Sequence, residues 1–291
     1  MSKRHGRRPD PRRQRAPKVR DAFVGRPFEG LADETEWVAL RELVPSATAP
    51  LRLADPAHAD REVTLATVLP MAWPGLVKAD GRIMLGVQSE ARSGDLSRDL
   101  GSVLEQALET EPGSYVEMAG LPGPGRRLQD LLADRGALDA TLHPTFGFWL
   151  DGDEPDDPDV AASLERANGS ILPTARLNSA RSAFWCRVGE KAHVRWVLPE
   201  EEDAALAALA RLHAAGELTL GEGTRYAGAF RAHGLLAPVW DLPRDPEPVA
   251  WEDAVADLAK RYAEAAADDT PLTSEQRRSR DGLRGRQLTL R

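Results

Sequence analysis

The runs Ala183-Phe184-Trp185-Cys186-Arg187-Val188 and His193-Val194-Arg195-Trp196-Val197-Leu198 decide how the rest of this chain is interpreted. Both are rich in apolar, β-branched and aromatic residues, and a short gap with Gly189 separates them, which predicts two adjacent strands. The acidic stretch Glu200-Glu201-Glu202 follows, and such charges favour the N-terminus of a helix. The leucine spacing over 206–212 indicates that a helix begins there.

An order of this kind also occurs earlier in the chain, which suggests an internal repeat. A helix over 160–167 and the segment Leu172-Pro173-Thr174-Ala175 precede the two strands. The first copy contains elements that correspond to those of the second copy and follow the same order. They are a helix opened by Asp33 and Glu36 as a capping box, Val44-Pro45-Ser46-Ala47, extended runs over 63–69 and 82–87, and an amphipathic helix over 96–108.

Two further matches extend the repeat toward the end of each copy. Residues 226–234 align with 128–136, where a helix is predicted near 126–135. Residues 236–242 align with Leu142-His143-Pro144 and with a predicted strand beyond it that includes Phe148-Trp149-Leu150. The sequence therefore predicts an α+β fold made of two divergent tandem copies of an α-β-β-β-α-(β)-α-β unit. We expect mostly antiparallel sheets with helices on one face. Chance similarity between the halves is the alternative.

This interpretation divides the chain into five segments. We expect a disordered basic tail over 1–22, a first repeat over 23–150 and an acidic linker over 151–159. A second repeat with a C-terminal helix covers 160–268, and an arginine-rich segment covers 269–291. Leu283, Leu288 and Leu290 suggest that this last segment packs back onto the body.

The composition excludes several classes of protein. With one cysteine, Cys186, the chain has neither an internal disulfide framework nor a cysteine-based zinc site. It contains no run of about eighteen apolar residues that could form a membrane span. Its arginine-rich beginning has no apolar segment behind it, unlike a secretory signal. We therefore expect a cytoplasmic protein without membrane contact.

The charge is strongly segregated along the chain. Residues 1–20 hold nine basic residues against Asp10, residues 275–291 have a balance of +4, and residues 21–274 have a balance of −20. Such a basic segment is typical of an arm that binds a polyanion, here nucleic acid or a ribosome. Alternatively, the tails aid solubility or dock on the acidic body. The candidate nucleic-acid-binding residues are Lys3, Arg4, Arg7, Arg8, Arg12, Arg13, Arg15, Lys18 and Arg20.

A glycine-rich loop that runs into a predicted helix is a candidate anion-binding site. Gly123, Gly125, Arg126 and Arg127 combine backbone N–H groups at a helix start with two cations. The loop lacks the Gly-Lys-Ser/Thr ending of a nucleotide-binding P-loop. An exposed, proline-containing connection is the alternative interpretation.

No catalytic constellation is assembled in the sequence, so catalytic residues are left unassigned. Cys186 and His193 are predicted cross-strand neighbours, which makes a Cys/His nucleophile a minor hypothesis. The histidines lack the spacing of a zinc pair, so we expect no metal and no cofactor. Arg187, His193 and Arg195 alternate with apolar residues on the two strands, a pattern also found on nucleic-acid-binding sheets.

Four segments resemble an actinobacterial family of unknown function over nearly the whole chain from residue 23 onward. They are Phe23-Val24-Gly25-Arg26-Pro27-Phe28-Glu29-Gly30-Leu31, Leu43-Val44-Pro45-Ser46-Ala47-Thr48-Ala49-Pro50-Leu51, Ala192-His193-Val194-Arg195-Trp196-Val197-Leu198-Pro199 and Gly285-Arg286-Gln287-Leu288-Thr289-Leu290-Arg291. Members of that family sometimes carry the labels topoisomerase II or SecA, and neither fits this chain. The resemblance implies no ligand, mechanism or catalytic residue.

The leading functional hypothesis is a non-enzymatic binding protein that contacts nucleic acid or a ribonucleoprotein through its basic tails. In that case the body is a platform for a protein partner. The alternative is an enzyme whose ligand site lies in the cleft between the two repeats, since duplicated domains often bind ligands at their interface. A structural scaffold is a third interpretation, and the oligomeric state is left open.

Overall fold

The computed structural model describes residues 23–285 except 91–92, 118–119, 153–154 and 156. Its first half contains α1 (Glu34–Glu42), β1 (Ala47–Leu51), β2 (Val63–Ala66), β3 (Gly75–Val77), β4 (Ile83–Gly86), α2 (Leu96–Glu109), β5 (Ser114–Val116), α3 (Leu128–Leu131) and β6 (Thr141–Leu142). Its second half contains α4 (Pro158–Asn168), β7 (Thr174–Leu177), β8 (Ala183–Val188), β9 (Lys191–Trp196), α5 (Glu202–Ala214), β10 (Arg225–Ala232), β11 (Leu235–Leu242), α6 (Glu252–Ala266) and α7 (Ser274–Arg284).

The strands form two separate sheets, and the α+β class is confirmed. Among the described residues the first sheet has the order β5-β3-β4-β2-β1-β6 and the second the order β10-β11-β9-β8-β7. The second sheet is antiparallel throughout. The first sheet is antiparallel except for β2 and β4, which pair in parallel. Strand β3 lies between them in the sequence, but it pairs with the other side of β4 and not with β2. The tandem repeat is therefore not confirmed, since the two sheets differ in topology.

Three local predictions in the repeat alignment are wrong. Residues 226–234, aligned with a helix, form β10 and the turn after it, because Tyr226 and Phe230 pack on opposite faces of the sheet. The helix predicted near 126–135 is reduced to α3 and a short 3₁₀ turn, because Asp134 and Arg135 have positive φ. The strand predicted at 148–150 is replaced by a 3₁₀ turn over Gly147–Trp149.

Helix α1 lies between the two sheets and belongs to a core that both halves share. Trp37 and Leu40 are at most 1% exposed and cluster with Ile83 of the first sheet and with Phe230 and Val239 of the second. A second core lies on the other face of the second sheet, where α5, α6 and α7 cover it. The second sheet is thus covered on both faces rather than on one.

The capping box predicted for α1 is not formed, because both of its carboxylates bind the second half. Asp33 makes no side-chain cap and pairs instead with Arg181 at 2.6 Å. Glu36, 1% exposed, accepts from Arg176 Nη1 at 2.8 Å and from Ser182 Oγ at 2.9 Å. These contacts fix α1 against β7 and the start of β8.

The C-terminal helix packs against the body, as the leucine pattern predicts for Leu283. Leu283 on α7 is 3% exposed and belongs to the core that α5 and α6 complete, and Arg284 bonds Asp203 at the start of α5. Leu288 and Leu290 lie outside the described residues. The five predicted segment boundaries stay predictions. Within the described ranges we find no helix with the length and apolarity needed to cross a membrane.

Candidate ligand cleft between the two sheets

A cavity of about 510 Å³ lies between the end of the first sheet and the edge of the second. The paired prolines Pro45 and Pro173 both line it, together with Pro144. Each proline precedes or follows a strand that ends at this junction, so the two halves meet here without closing the space between them. The remaining lining residues are Val44, Ser46, Leu142, His143, Asn168, Ile171, Leu172, Thr174, Ala175 and Trp185.

His143 is the ionisable side chain of this cleft. Its Nε2 lies 2.7 Å from Thr48 Oγ1, and its ring contacts Phe148 with centroids 5.1 Å apart. Burial lowers the pKa of His143 below the usual histidine value, so the imidazole is neutral at pH 7. A neutral ring in this position offers a hydrogen bond to a ligand rather than a charge.

Trp185 lines the cleft and carries a buried indole N–H. The side chain is 2% exposed, and its Nε1 has no acceptor among the residues that the structure describes. Asn168 is already engaged, since its Oδ1 accepts from Phe146 N at 2.8 Å. A buried N–H without a partner costs about 1–3 kcal/mol, which a ligand carrying an acceptor would recover.

Sequence reasoning missed His143, Asn168 and Trp185 as members of one site. The available signal is the pair Pro45 and Pro173, which indicates a repeat in the sequence and which in the structure lines two sides of the cleft. The cleft lies between the two halves, and the hypothesis that a ligand binds there stays a prediction.

A row of polar side chains crosses the second sheet on the face turned toward the first half. Cys186 pairs with His193 and His193 with Asp241, so the predicted cross-strand neighbours are confirmed. Asp241 accepts from Lys191 Nζ and from Arg225 Nη2, each at 2.9 Å, and lies 3.2 Å from His193 Nδ1. Burial raises the pKa of Asp241, but the hydrogen bonds from Lys191 and Arg225 outweigh it and leave the pKa lowered.

This row does not form an activated nucleophile. Burial raises the pKa of the Cys186 thiol, and the side chain is 2% exposed. Burial also lowers the pKa of His193 more than Asp241 raises it, so the imidazole is neutral near pH 7. A neutral thiol beside a neutral imidazole lacks the thiolate that nucleophilic catalysis needs.

The basic residues on β8 and β9 are divided between the two faces of the sheet. Arg187 stacks on Trp185, 4.9 Å from the ring centroid, and pairs with Glu247 at 3.0 Å. His193 and Arg195 share the opposite face with Cys186, because side chains alternate along a strand. The alternation seen in the sequence therefore does not form one basic and aromatic surface.

The predicted anion-binding loop is filled by a side chain of α2. Arg98 donates to the carbonyls of Pro122, Gly123 and Arg126 at 3.3, 3.0 and 3.0 Å. A Cβ on Gly125 would lie 2.4 Å from the same guanidinium group. These contacts give the loop a structural role.

The two loop arginines are likewise engaged. Arg126 pairs with Glu105 at 2.9 Å and Arg127 with Asp95 at 2.7 Å. Helix α3 has four residues, too few for an N-terminal site. The anion-binding hypothesis stays a prediction that this geometry does not support.

The nine candidate nucleic-acid-binding residues of the basic tail lie outside the described residues. In the part of the chain that the structure covers, no three His, Cys, Asp or Glu side chains are grouped so that they could hold a metal ion.

These features define an α+β protein with two sheets around a shared helix and a largely apolar cleft at their junction. The chain belongs to a family of unknown function, DUF5926, whose model matches residues 27–291. No curated protein and no solved structure shows significant similarity to it.

Proposed function

We propose that this protein is a binding protein that contacts nucleic acid or a ribonucleoprotein through its basic N-terminal segment. The observation that carries the proposal is the charge segregation, with nine basic residues against one acidic residue in residues 1–20. The acidic body repels a polyanion, so the approach is restricted to the basic segment. The C-terminal arginines contribute less, since Arg284 is already bound to Asp203 on the body.

The test is RNA binding by the full chain and by a chain without residues 1–22. Fluorescence anisotropy with a single-stranded RNA oligonucleotide, from about 50 to 300 mM salt, measures the contribution of released counterions. Four to six phosphate contacts give a log–log slope of about −3 to −4 on a single strand. We expect that slope for the full chain and a slope near zero after deletion.

The matched control keeps the length of the tail and removes its charge. In that variant the nine residues are replaced by glutamine, and it should behave like the deletion. Equal binding by all three proteins across the salt range would contradict the proposal. The basic segment would then serve solubility.

A second candidate function, favoured by the cleft, is the binding of a small apolar ligand with a hydrogen-bond acceptor. Its support is the cavity of about 510 Å³ together with the unpaired Nε1 of the buried Trp185. If the protein is an enzyme, which was the alternative hypothesis, this cleft is where its substrate would bind.

Thermal-shift measurements with a set of apolar carbonyl compounds test the cleft. Leu172, which is 43% exposed, lines the cavity, so Leu172→Trp fills it with little effect on the fold. A ligand that raises Tm of the parent protein and has no effect on Leu172→Trp supports the cleft. An equal shift in both proteins, or no shift with any compound, contradicts it.

A further inference from the structure

The second sheet carries a cluster of basic side chains on the face turned toward the first half. Lys191, His193 and Arg195 alternate along β9 and therefore share this face. Asp241 of β11 lies opposite His193, and Arg225 of β10 lies opposite Asp241. The basic cluster thus consists of Lys191, His193, Arg195 and Arg225 around one carboxylate. Because residues 21–274 have a balance of −20, the local charge is opposite in sign to that of the body.

The carboxylate of Asp241 compensates only part of the basic cluster. It accepts from Lys191 Nζ and from Arg225 Nη2, each at 2.9 Å. In the strand pairs that the structure describes, no other acidic residue lies opposite a member of the cluster. Glu190, in the turn before Lys191, is bound to Arg244 at 2.9 Å. Two of the three permanent cations therefore share one carboxylate.

The third permanent cation, Arg195, makes no hydrogen bond and no ion pair in the part of the chain that the structure describes. It lies opposite Phe184 on one side and Val239 on the other, and both belong to the core that the two halves share. Its side chain is half-buried. A guanidinium group that loses water without gaining an acceptor costs free energy. Such a cost without a structural gain is typical of a functional position.

The charge of Arg195 acts on the two polar side chains next to it on this face. Burial raises the pKa of the Cys186 thiol, and Arg195 opposes that rise. Burial lowers the pKa of His193, Asp241 raises it, and Arg195 and Lys191 lower it further. An anion bound beside Arg195 would therefore also favour the protonated form of His193.

We propose that this face of the second sheet binds a small ligand through a phosphate group, which Arg195 holds beside His193. A guanidinium group offers paired N–H donors that match two phosphate oxygens. Lys191 and Arg225 add positive charge, so a dianion suits the basic cluster better than a monoanion. A polynucleotide suits it less well, because the acidic body repels an extended polyanion. The site does not rest on the proposed function, which concerns the basic N-terminal segment.

The site is tested by titrating the full chain with inorganic phosphate at constant ionic strength. NMR of the histidine ring protons follows the binding, and the variant His193→Gln identifies the signal of His193, which reports on this face alone. We expect a saturable shift of that signal. Arg195→Gln should bind phosphate at least about tenfold more weakly, because hydrogen bonds between charged groups are lost. Arg195→Lys keeps the charge without the paired donors and should fall between the two.

The matched control, Arg187→Gln, removes one positive charge from the opposite face of the same sheet. Arg187 is bound to Glu247 and stacks on Trp185, so its loss should leave phosphate binding as it is in the parent. Equal binding by the parent, Arg195→Gln and Arg187→Gln would overturn the site, and so would the absence of any shift of the His193 signal. Displacement of phosphate by an RNA oligonucleotide, in the chain without residues 1–22, would overturn the assignment to a small ligand.

The pKa of His193 gives a second readout of the same site. Sulfate serves as the probe here, because it stays a dianion throughout the range in which histidine titrates. Sulfate should raise the pKa of His193 in the parent and in Arg187→Gln, and much less in Arg195→Gln. By linkage, sulfate should bind more tightly as the pH falls through that pKa. An equal rise of the pKa in all three proteins would overturn the role of Arg195.

Unfolding without any added anion separates a binding role of Arg195 from a structural one. Arg195→Gln should have a Tm equal to or above that of the parent, because the substitution breaks no hydrogen bond and relieves a half-buried charge. Arg187→Gln should have a lower Tm, since it loses the contacts with Glu247 and Trp185. A Tm of Arg195→Gln below that of Arg187→Gln would indicate a structural role and overturn the proposal.

Discussion

Glu36 is a buried carboxylate whose partners lie on the other half of the molecule. It is 1% exposed, and Arg176, Arg181 and Ser182 surround it. We expect Glu36→Ala to lower the free energy of unfolding by about 2–4 kcal/mol, because it leaves Arg176 without its partner and Ser182 without its acceptor. Urea unfolding measures this loss, and the exposed Glu222→Gln should change stability by less than about 0.5 kcal/mol. Equal effects would show that the pair contributes nothing.

Glu42 gives the stability a defined dependence on acid pH. Its hydrogen bond from His233, at 2.7 Å, lowers the pKa of Glu42 below the ordinary value of 4.5. A carboxylate with a lowered pKa stabilises the fold above about pH 4.5, and this contribution is lost as the pH falls through the folded-state value. His233→Ala should therefore reduce the loss of stability below pH 4.5. Chemical denaturation at a series of pH values checks this, and identical pH profiles would contradict it.

At the residue scale, the sequence predicts the register between two adjacent strands better than it predicts side-chain contacts between distant parts of the chain. The Cys186–His193 register follows from two short strands joined by a tight turn, and it is confirmed. Asp33 and Glu36 have the spacing of a capping box, but their carboxylates bind Arg181 and Arg176, about 140 positions away along the chain. The spacing of residues within a helix contains no information about arginines that lie so far away along the chain.

Replacing glycine by alanine should have opposite effects on stability at two positions within helices. A Cβ on Gly101 of α2 would lie 2.7 Å from the carbonyl oxygen of Arg126, whereas Gly282 of α7 has nothing within 4 Å. Gly282→Ala should stabilise the protein by about 0.5–1 kcal/mol through helix propensity. Gly101→Ala should destabilise it by about 1–2 kcal/mol, because the close approach of the backbone after residue 125 outweighs the same propensity. Thermal unfolding of both variants measures the difference, and shifts of the same sign would contradict it.

At the element scale, periodicity predicts the helices well and fails where alanine and glycine are ambiguous. The stripe over 96–108 predicts α2, which spans Leu96–Glu109. The sequence predicts a helix where strand β10 lies, because Tyr-Ala-Gly-Ala-Phe-Arg-Ala has no clear alternation of polar and apolar residues. Its side chains are buried on both faces of the second sheet, so a polar face that would reveal a strand is largely missing.

The shared core makes the whole molecule one folding unit. Phe184, Phe230 and Val239 of the second sheet belong to the core built on Trp37 and Leu40. We expect one cooperative calorimetric transition for the full chain, and no stable fold for a fragment ending at residue 152, because its core would be exposed to water. Two resolved transitions, or a fragment with protected amides, would contradict this.

At the scale of the molecule, the α+β class of fold was within reach of the sequence, and the strand order was not. A run of short strands and amphipathic helices is enough to predict α+β. The parallel pairing of β2 with β4, with β3 on the far side, depends on how the loop Met71-Ala72-Trp73-Pro74 turns. Met71 and Ala72 have positive φ although neither is a glycine, so the sequence does not indicate a turn at these positions.

The hairpin that closes the second sheet has a consequence for synthesis on the ribosome. Its two-residue turn, His233 and Gly234 with φ of 49° and 84°, reaches α1, where His233 bonds Glu42 across 191 positions of sequence. At about 5–20 residues per second, translation delivers this turn some 10–40 seconds after α1. Throughout that interval the apolar face of α1 has only half of its covering. A nascent chain arrested before the hairpin should therefore recruit chaperones, and one arrested well beyond it should be released from them.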